Sequence, residues 1–217
     1  MIIFFHELRR ARKKLIIWSS TIAGLILVCM LIYPQMKSNM QGIIDMYSNL
    51  GEFSAAFGMD QLSYGTVMGF YGIECGTMLG IGGAFFAALL GIDILSKEEA
   101  FHTAEFLLTH PVSRRKIIAE KILSVFAVIL LFNIICLIVS IISFVIISET
   151  IAWKEFLLFH LAQIILHFEI ASICFAISAF MKRGGYGLGL GLASLLYFLN
   201  IIVNISDKFK FFKYITP

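Results

Sequence analysis

Two acids stand inside apolar stretches, Glu74 and Glu169, and two histidines, His160 and His167, bracket Gln163. An ionisable side chain at membrane depth is expensive to bury, so each of these acids is a candidate for proton or cation handling along a pathway or interface. His160, Gln163, His167, Cys174 and Ser178 share one side of a helix, and Asn133, Cys136 and Ser140 share a side of another. The chemistry this favours is interhelical hydrogen bonding. Glu169 points away from the histidine stripe by about half a turn, and reads as a proton or cation partner or as one half of a pair with a neighbouring helix. No metal is expected, because His160 and His167 are separated by about 10.5 Å along a helix and no further ligands converge. An intramembrane hydrolase would need Glu169 beside His160 and His167, and their faces diverge. Cys29, Cys75, Cys136 and Cys174 lie in apolar runs without CxxC spacing and read as core packing rather than disulfides or zinc ligands. Gly184, Gly185, Gly187, Gly189 and Gly191 lack the strand before and the lysine after that a phosphate loop requires. They fit a cytosolic turn and a closely packing helix.

The elements that must position these groups are membrane helices. Of 217 residues, 59% are hydrophobic and 14% charged, with a mean hydropathy of +0.92, which excludes an ordinary soluble domain. The balance of 17 basic and 14 acidic residues is too mild for nucleic acid, and the bases flank apolar runs instead of forming a patch. Five runs, 15–33, 67–95, 122–147, 156–180 and 186–205, reach the about 20 apolar residues that cross a bilayer. The first is too long for a secretion signal and lacks a small-x-small cleavage site. Its flank of Arg9, Arg10, Arg12, Lys13 and Lys14 puts the amino terminus in the cytosol, and alternation brings the 97–121 segment and Lys182-Arg183 to the same side. Phe4, Phe5, Leu8, Ala11 and Leu15 line one side of a helix, so residues 1–14 are expected to form an interfacial elbow. Met36, Met40, Ile43, Ile44, Tyr47 and Leu50 similarly predict a short helix on the outer face.

Span 67–95 carries a seam of small residues: Gly65, Gly69, Gly72, Gly76, Gly80, Gly83, Ala87 and Gly91 follow at steps of three or four. Lipid supplies no hydrophobic drive between helices, so such a face gains its stability from close backbone approach. Glu74 falls on roughly the opposite face, and the cost of a charge in lipid argues that this face is buried too. That predicts a central helix.

Residues 96–121, SKEEAFHTAEFLLTHPVSRRKIIAEK, form a polar insert between two apolar runs. Ser96 and Glu99 fit a capping box, predicting a helix restart, with Ala100, Phe101, Ala104, Leu107 and Leu108 on one apolar stripe. Pro111 ends it. Arg114, Arg115 and Lys116 open the following helix, where the macrodipole disfavours cations, so membrane orientation and lipid headgroups account for them.

The order of Glu98, Glu99, Thr103, Glu105, Leu107, Leu108, Pro111, Ser113, Arg114 and Lys121 resembles the cytoplasmic loop of ATP-binding-cassette exporter permeases of the ABC-2 type. It departs at Phe101 and His102, where a small residue often sits. Glu7, Arg9, Arg10 and Trp18 are also similar to the start of these permeases. The resemblance implies an all-α polytopic helical bundle whose residues 96–111 are a coupling helix docking on a separate ATPase subunit through Glu98, Glu99, Thr103, Glu105, Leu107, Leu108 and Pro111. It further implies a second permease copy or homologue and a bacterial cell membrane. ATP and Mg would be held by the partner, with no cofactor and no catalysis in this chain. The family usually has six spans. Lys208, Lys210 and Lys213 would fall outside after five, and the ending Tyr214 to Pro217 looks like the link before a last helix, so a shortened chain is expected; a natural five-span protein would use 209–214 as an interfacial anchor. Ion-coupled transport through Glu74 and Glu169, without an ATPase, is the alternative. The cargo is not legible.

Overall fold

The computed structural model describes residues 2–37, 42, 66–109, 112–181 and 185–205, and everything below refers to these. The elements are α1 (Ile2–Lys37), α2 (Val67–Ala100), α3 (Ala104–Thr109), α4 (Arg114–Ile146), α5 (Trp153–Ser178) and α6 (Tyr186–Ile205). All but α3 are long and apolar enough to cross a membrane, as an all-α bundle requires. The predicted outer-face helix (Met40 to Leu50), Gly65, Pro111, the Lys182-Arg183 turn with Gly184, and the lysine-rich tail lie outside the described residues.

The central helix is α2. Just over half of its apolar stretch is buried, 56% against 17–39% for the other four. It packs chiefly on α5 and also on α6 and α1, while α1 runs along α4. The glycine seam explains the α2–α5 contact. A Cβ added to Gly76 would meet the Phe159 ring at 3.2 Å, at Gly80 the Gln163 amide at 3.5 Å, at Gly83 His167 Nε2 at 2.1 Å, and at Gly91 the Ala171 carbonyl oxygen at 2.4 Å. Thus the small face of α2 receives the polar stripe of α5, backbone close to backbone. The seam is not one unbroken face, however. Tyr71–Cys75 form a π-helical turn, whose extra residue rotates Gly69 and Gly72 by about 100° relative to the glycines that follow. At the far end of α1 Lys37 pairs with Glu149 in the α4–α5 connection.

Three local expectations are corrected. First, α2 does not restart at Ser96. It runs unbroken to Ala100, and Ser96 is fully buried, donating its hydroxyl to Ile92 O at 2.6 Å. The helix can pass through this polar stretch because Lys97 is bound from outside the helix, by Glu7 of α1. It ends instead in a Schellman turn, in which Thr103 N donates to Glu98 O (2.8 Å), His102 N donates to Glu99 O (3.2 Å), and His102 is left-handed at φ 56°. Second, 96–111 is therefore not one coupling helix: after the turn only the short α3 follows. The serine cap lies at Ser113, whose Oγ accepts from Lys116 N at the start of α4. Third, residues 1–14 are no separate elbow. They are the first turns of α1, held against α4 by Phe4 N donating to Glu120 Oε2 at 3.2 Å, with Phe5 turned outward.

Candidate functional site

Two places carry chemistry. Where the first turns of α1, the last turns of α2 and the first turns of α4 meet, three elements converge on buried charges. Lys121 Nζ donates to Glu7 Oε1 (2.8 Å), to Glu98 Oε1 (2.8 Å) and to Ile94 O (3.0 Å), and Lys97 pairs with the other oxygen of Glu7. Thr103 closes the set by donating to Glu98 Oε2. Lys121 is 1% exposed, Glu7 4% and Lys97 5%. Burial alone would raise the Glu7 pKa, but the two ammonium groups outweigh it and hold the carboxyl below its ordinary value. Glu98 is lowered in the same way, against burial, by Lys121 and Thr103. Burial, joined by repulsion from Lys121 and Arg10, lowers Lys97 in spite of its pairing with Glu7. Every charge at this centre is therefore paired, and removing one member would strand another.

Glu98 thus faces inward and ties the end of α2 to α4, whereas Glu99 and Glu105 are exposed and form no ion pair among the described residues. Thr103 is at the surface, Leu107 is half-buried, and the side chain of Leu108 lies outside the described residues, as does Pro111. Arg114, Arg115 and Lys116 are all exposed on the first turn of α4.

The second place is the α2–α4–α5 interior. Tyr71 Oη donates to Ser140 Oγ at 2.7 Å and lies 3.0 Å from His160 Nε2, and His167 Nδ1 lies 3.2 Å from Asn133 Oδ1. The polar stripes of α4 and α5 therefore do meet. His160 Nδ1, Gln163 Oε1 and His167 Nε2 are buried and make no well-formed hydrogen bond among the described residues, His167 lying toward the Leu79 and Gly80 backbone. No group of three metal-ligating side chains occurs among the described residues. Glu74 and Glu169 are not brought together: Glu74 is half-buried in the π-turn of α2, two residues before the Gly76 that packs on Phe159, and Glu169 is exposed on α5, ten residues beyond Phe159.

Sequence reasoning missed Glu7, Lys97 and Tyr71 as site members, and had Lys121 only as part of a motif. A signal existed for two of them. Glu7 falls on the same helical stripe as Phe4, Leu8 and Ala11, and Lys121 on that of Ile117, Val125 and Val128, and a charge on an apolar stripe implies a counter-charge elsewhere.

A family model described as "ABC-2 family transporter protein" matches residues 1–216. No curated protein and no solved structure matches the chain. With a match over almost its whole length and five helices fit to span a bilayer, the chain belongs to the ABC-2 transporter family as a multi-pass membrane permease subunit of an ABC transporter.

Proposed function

We propose that this permease works as the membrane half of an ATP-driven exporter in a bacterial cell membrane, with its amino terminus in the cytosol and a second permease, identical or homologous, at its side. A separate ATPase subunit would hold ATP and Mg and engage α3 and the turn before it. The single observation that carries this reading is the division of labour among the acids of the 98–105 segment. Glu98 is bound inward to Lys121, while Glu99 and Glu105 project outward from a segment anchored to α1, α2 and α4. A lever needs one end fixed to the moving body and the other free to be pushed, and this segment has both. A push on α3 would pass through Glu98, Lys121 and Glu7 into three spans together. The seam between α2 and α5, smooth with glycine and lined by unpaired polar atoms, supplies a surface where one body can shift against another. Ion coupling through Glu74 and Glu169 would instead need the two acids to share a path, and they stand at different levels along α2 and α5, one half-buried and the other exposed. An affinity pull-down from gently solubilised native membrane, with partners identified by mass spectrometry, tests the proposal. Wild type should recover an ATPase subunit that Glu105→Arg fails to recover while still folding. Recovery of no ATPase by wild type overturns it.

A further inference from the structure

The inner ends of α1, α2, α4 and α6 enclose a cavity of about 330 Å³. One wall is cationic, with Arg10, Lys13 and Lys14 of α1 and Lys97 of α2; the deeper wall is apolar, with Leu90, Ile94, Val125 and Val128. The acids in its lining are already engaged: Glu7 by Lys97 and Lys121, and Asp93 by Lys14 at 2.8 Å. Arg10 and Lys13 therefore face the cavity without a carboxylate partner among the described residues, Arg10 lying only against the Phe101 ring, 5.7 Å from its centre. Two uncompensated cations beside a partly desolvated ammonium repel one another unless an anion joins them. The basic flank of the first span marks the inner headgroup level, where anionic phosphates concentrate, and the apolar wall continues from there toward the membrane centre. The volume accommodates a headgroup and the start of a chain.

We propose that this cavity is a binding site for a phosphate-bearing anion, with Arg10 and Lys13 as its ligands and the Leu90–Val128 wall receiving an attached acyl chain. A planar guanidinium with an adjacent ammonium suits phosphate oxygens, the first by paired hydrogen bonds and the second as a point charge. The site stands apart from the exposed Arg114, Arg115 and Lys116, which line no part of the cavity. It requires no ATPase, so its failure and the failure of the exporter reading are separable.

Native mass spectrometry of the full-length detergent-purified permease, titrated with phosphatidylglycerol, phosphatidylcholine or inorganic phosphate, tests the assignment. Wild type should prefer phosphatidylglycerol to phosphatidylcholine by at least about tenfold, the order expected for two added cation contacts at the membrane surface. Arg10→Gln with Lys13→Gln should abolish that preference. Arg10→Lys with Lys13→Arg, and the control Arg114→Gln with Arg115→Gln, should keep it. Because Arg10 and Lys13 are surface-exposed, the neutral pair is expected to fold, and an unchanged thermal midpoint checks that. Competition by inorganic phosphate at equal affinity would identify the free anion as the occupant, and failure to compete would identify the lipid. An undiminished preference in the neutral pair, or equal loss in the control, overturns the proposal.

Discussion

The charged centre at one end of the bundle and the polar seam in its interior solve opposite problems with buried polar groups. At Glu7, Lys97, Lys121 and Glu98 the charges are mutually paired, from residues 90 and 114 positions apart in the chain, so the start of α1, the end of α2 and the start of α4 are locked together. Along the α2–α5 seam one buried atom each of His160 and Gln163 has no partner among the described residues, and His167 Nε2 lies toward the Leu79 and Gly80 backbone without a well-formed hydrogen bond, against a face with almost no side chains. A fully paired network resists motion, because any displacement strands a charge. An incompletely satisfied one beside glycine does not, because a shift that admits water or a new partner costs little. The same chain thus holds a rigid end and a yielding seam.

That contrast breaks most visibly at Lys121. Lys121→Met leaves Glu7 and Glu98 buried and short of a counter-charge, a loss of about 3–5 kcal/mol, read as a lowered thermal midpoint of the purified permease. Lys121→Arg, which keeps the charge, should lose much less. The seam sharpens the comparison next. Gly91→Ala drives a methyl to 2.4 Å from the Ala171 carbonyl and should cost about 1–3 kcal/mol, whereas Gly187→Ala in α6 meets nothing within 4 Å and should gain up to about 1 kcal/mol from helix propensity. Equal effects at the two glycines would remove the seam from the account. A pH series separates the regions in another way. The Glu7 pKa is lower in the folded chain than in the unfolded one, so its stabilisation is full above the ordinary carboxylate range, about 4.3, and is lost as pH falls from there through the folded value. Acid should therefore loosen this end of the bundle, and the protection of the Glu98–Thr103 turn against hydrogen exchange, corrected for the intrinsic rate at each pH, should fall in wild type but already be low, and less dependent on pH, in Glu7→Gln. The smallest effect belongs to the turn itself, where His102→Gly relieves a left-handed residue and should stabilise by about 0.5–1 kcal/mol.

Hydropathy made the five spans legible, and residue spacing made the glycine face and the meeting of Ser140 and Asn133 with the histidine stripe legible, because both depend on periods of three and four within one element. What spacing cannot carry is a contact between distant elements. Ser96 and Glu99 satisfy a local capping pattern, but Glu7 neutralises Lys97 from another helix and the ladder of α2 simply continues. The π-turn at Tyr71–Cys75 was equally hidden, and it shifted the phase on which Gly69, Gly72 and Glu74 had been placed. Residue order singled out the 96–121 segment, whereas the inward-facing pair of Glu98 with Lys121 required the third dimension.

The most direct test of the account is the pair of spin-label distances from Glu105 to Ile2 and from Glu105 to Phe180, measured by pulsed electron resonance in the complex recovered with its ATPase, before and after nucleotide trapping. All three positions are exposed, at α3, at the start of α1 and just beyond the end of α5. A locked end and a sliding seam predict that the Glu105–Ile2 distance stays fixed while the Glu105–Phe180 distance shifts. A change in the first distance, or the same distribution for the second in both states, would contradict it.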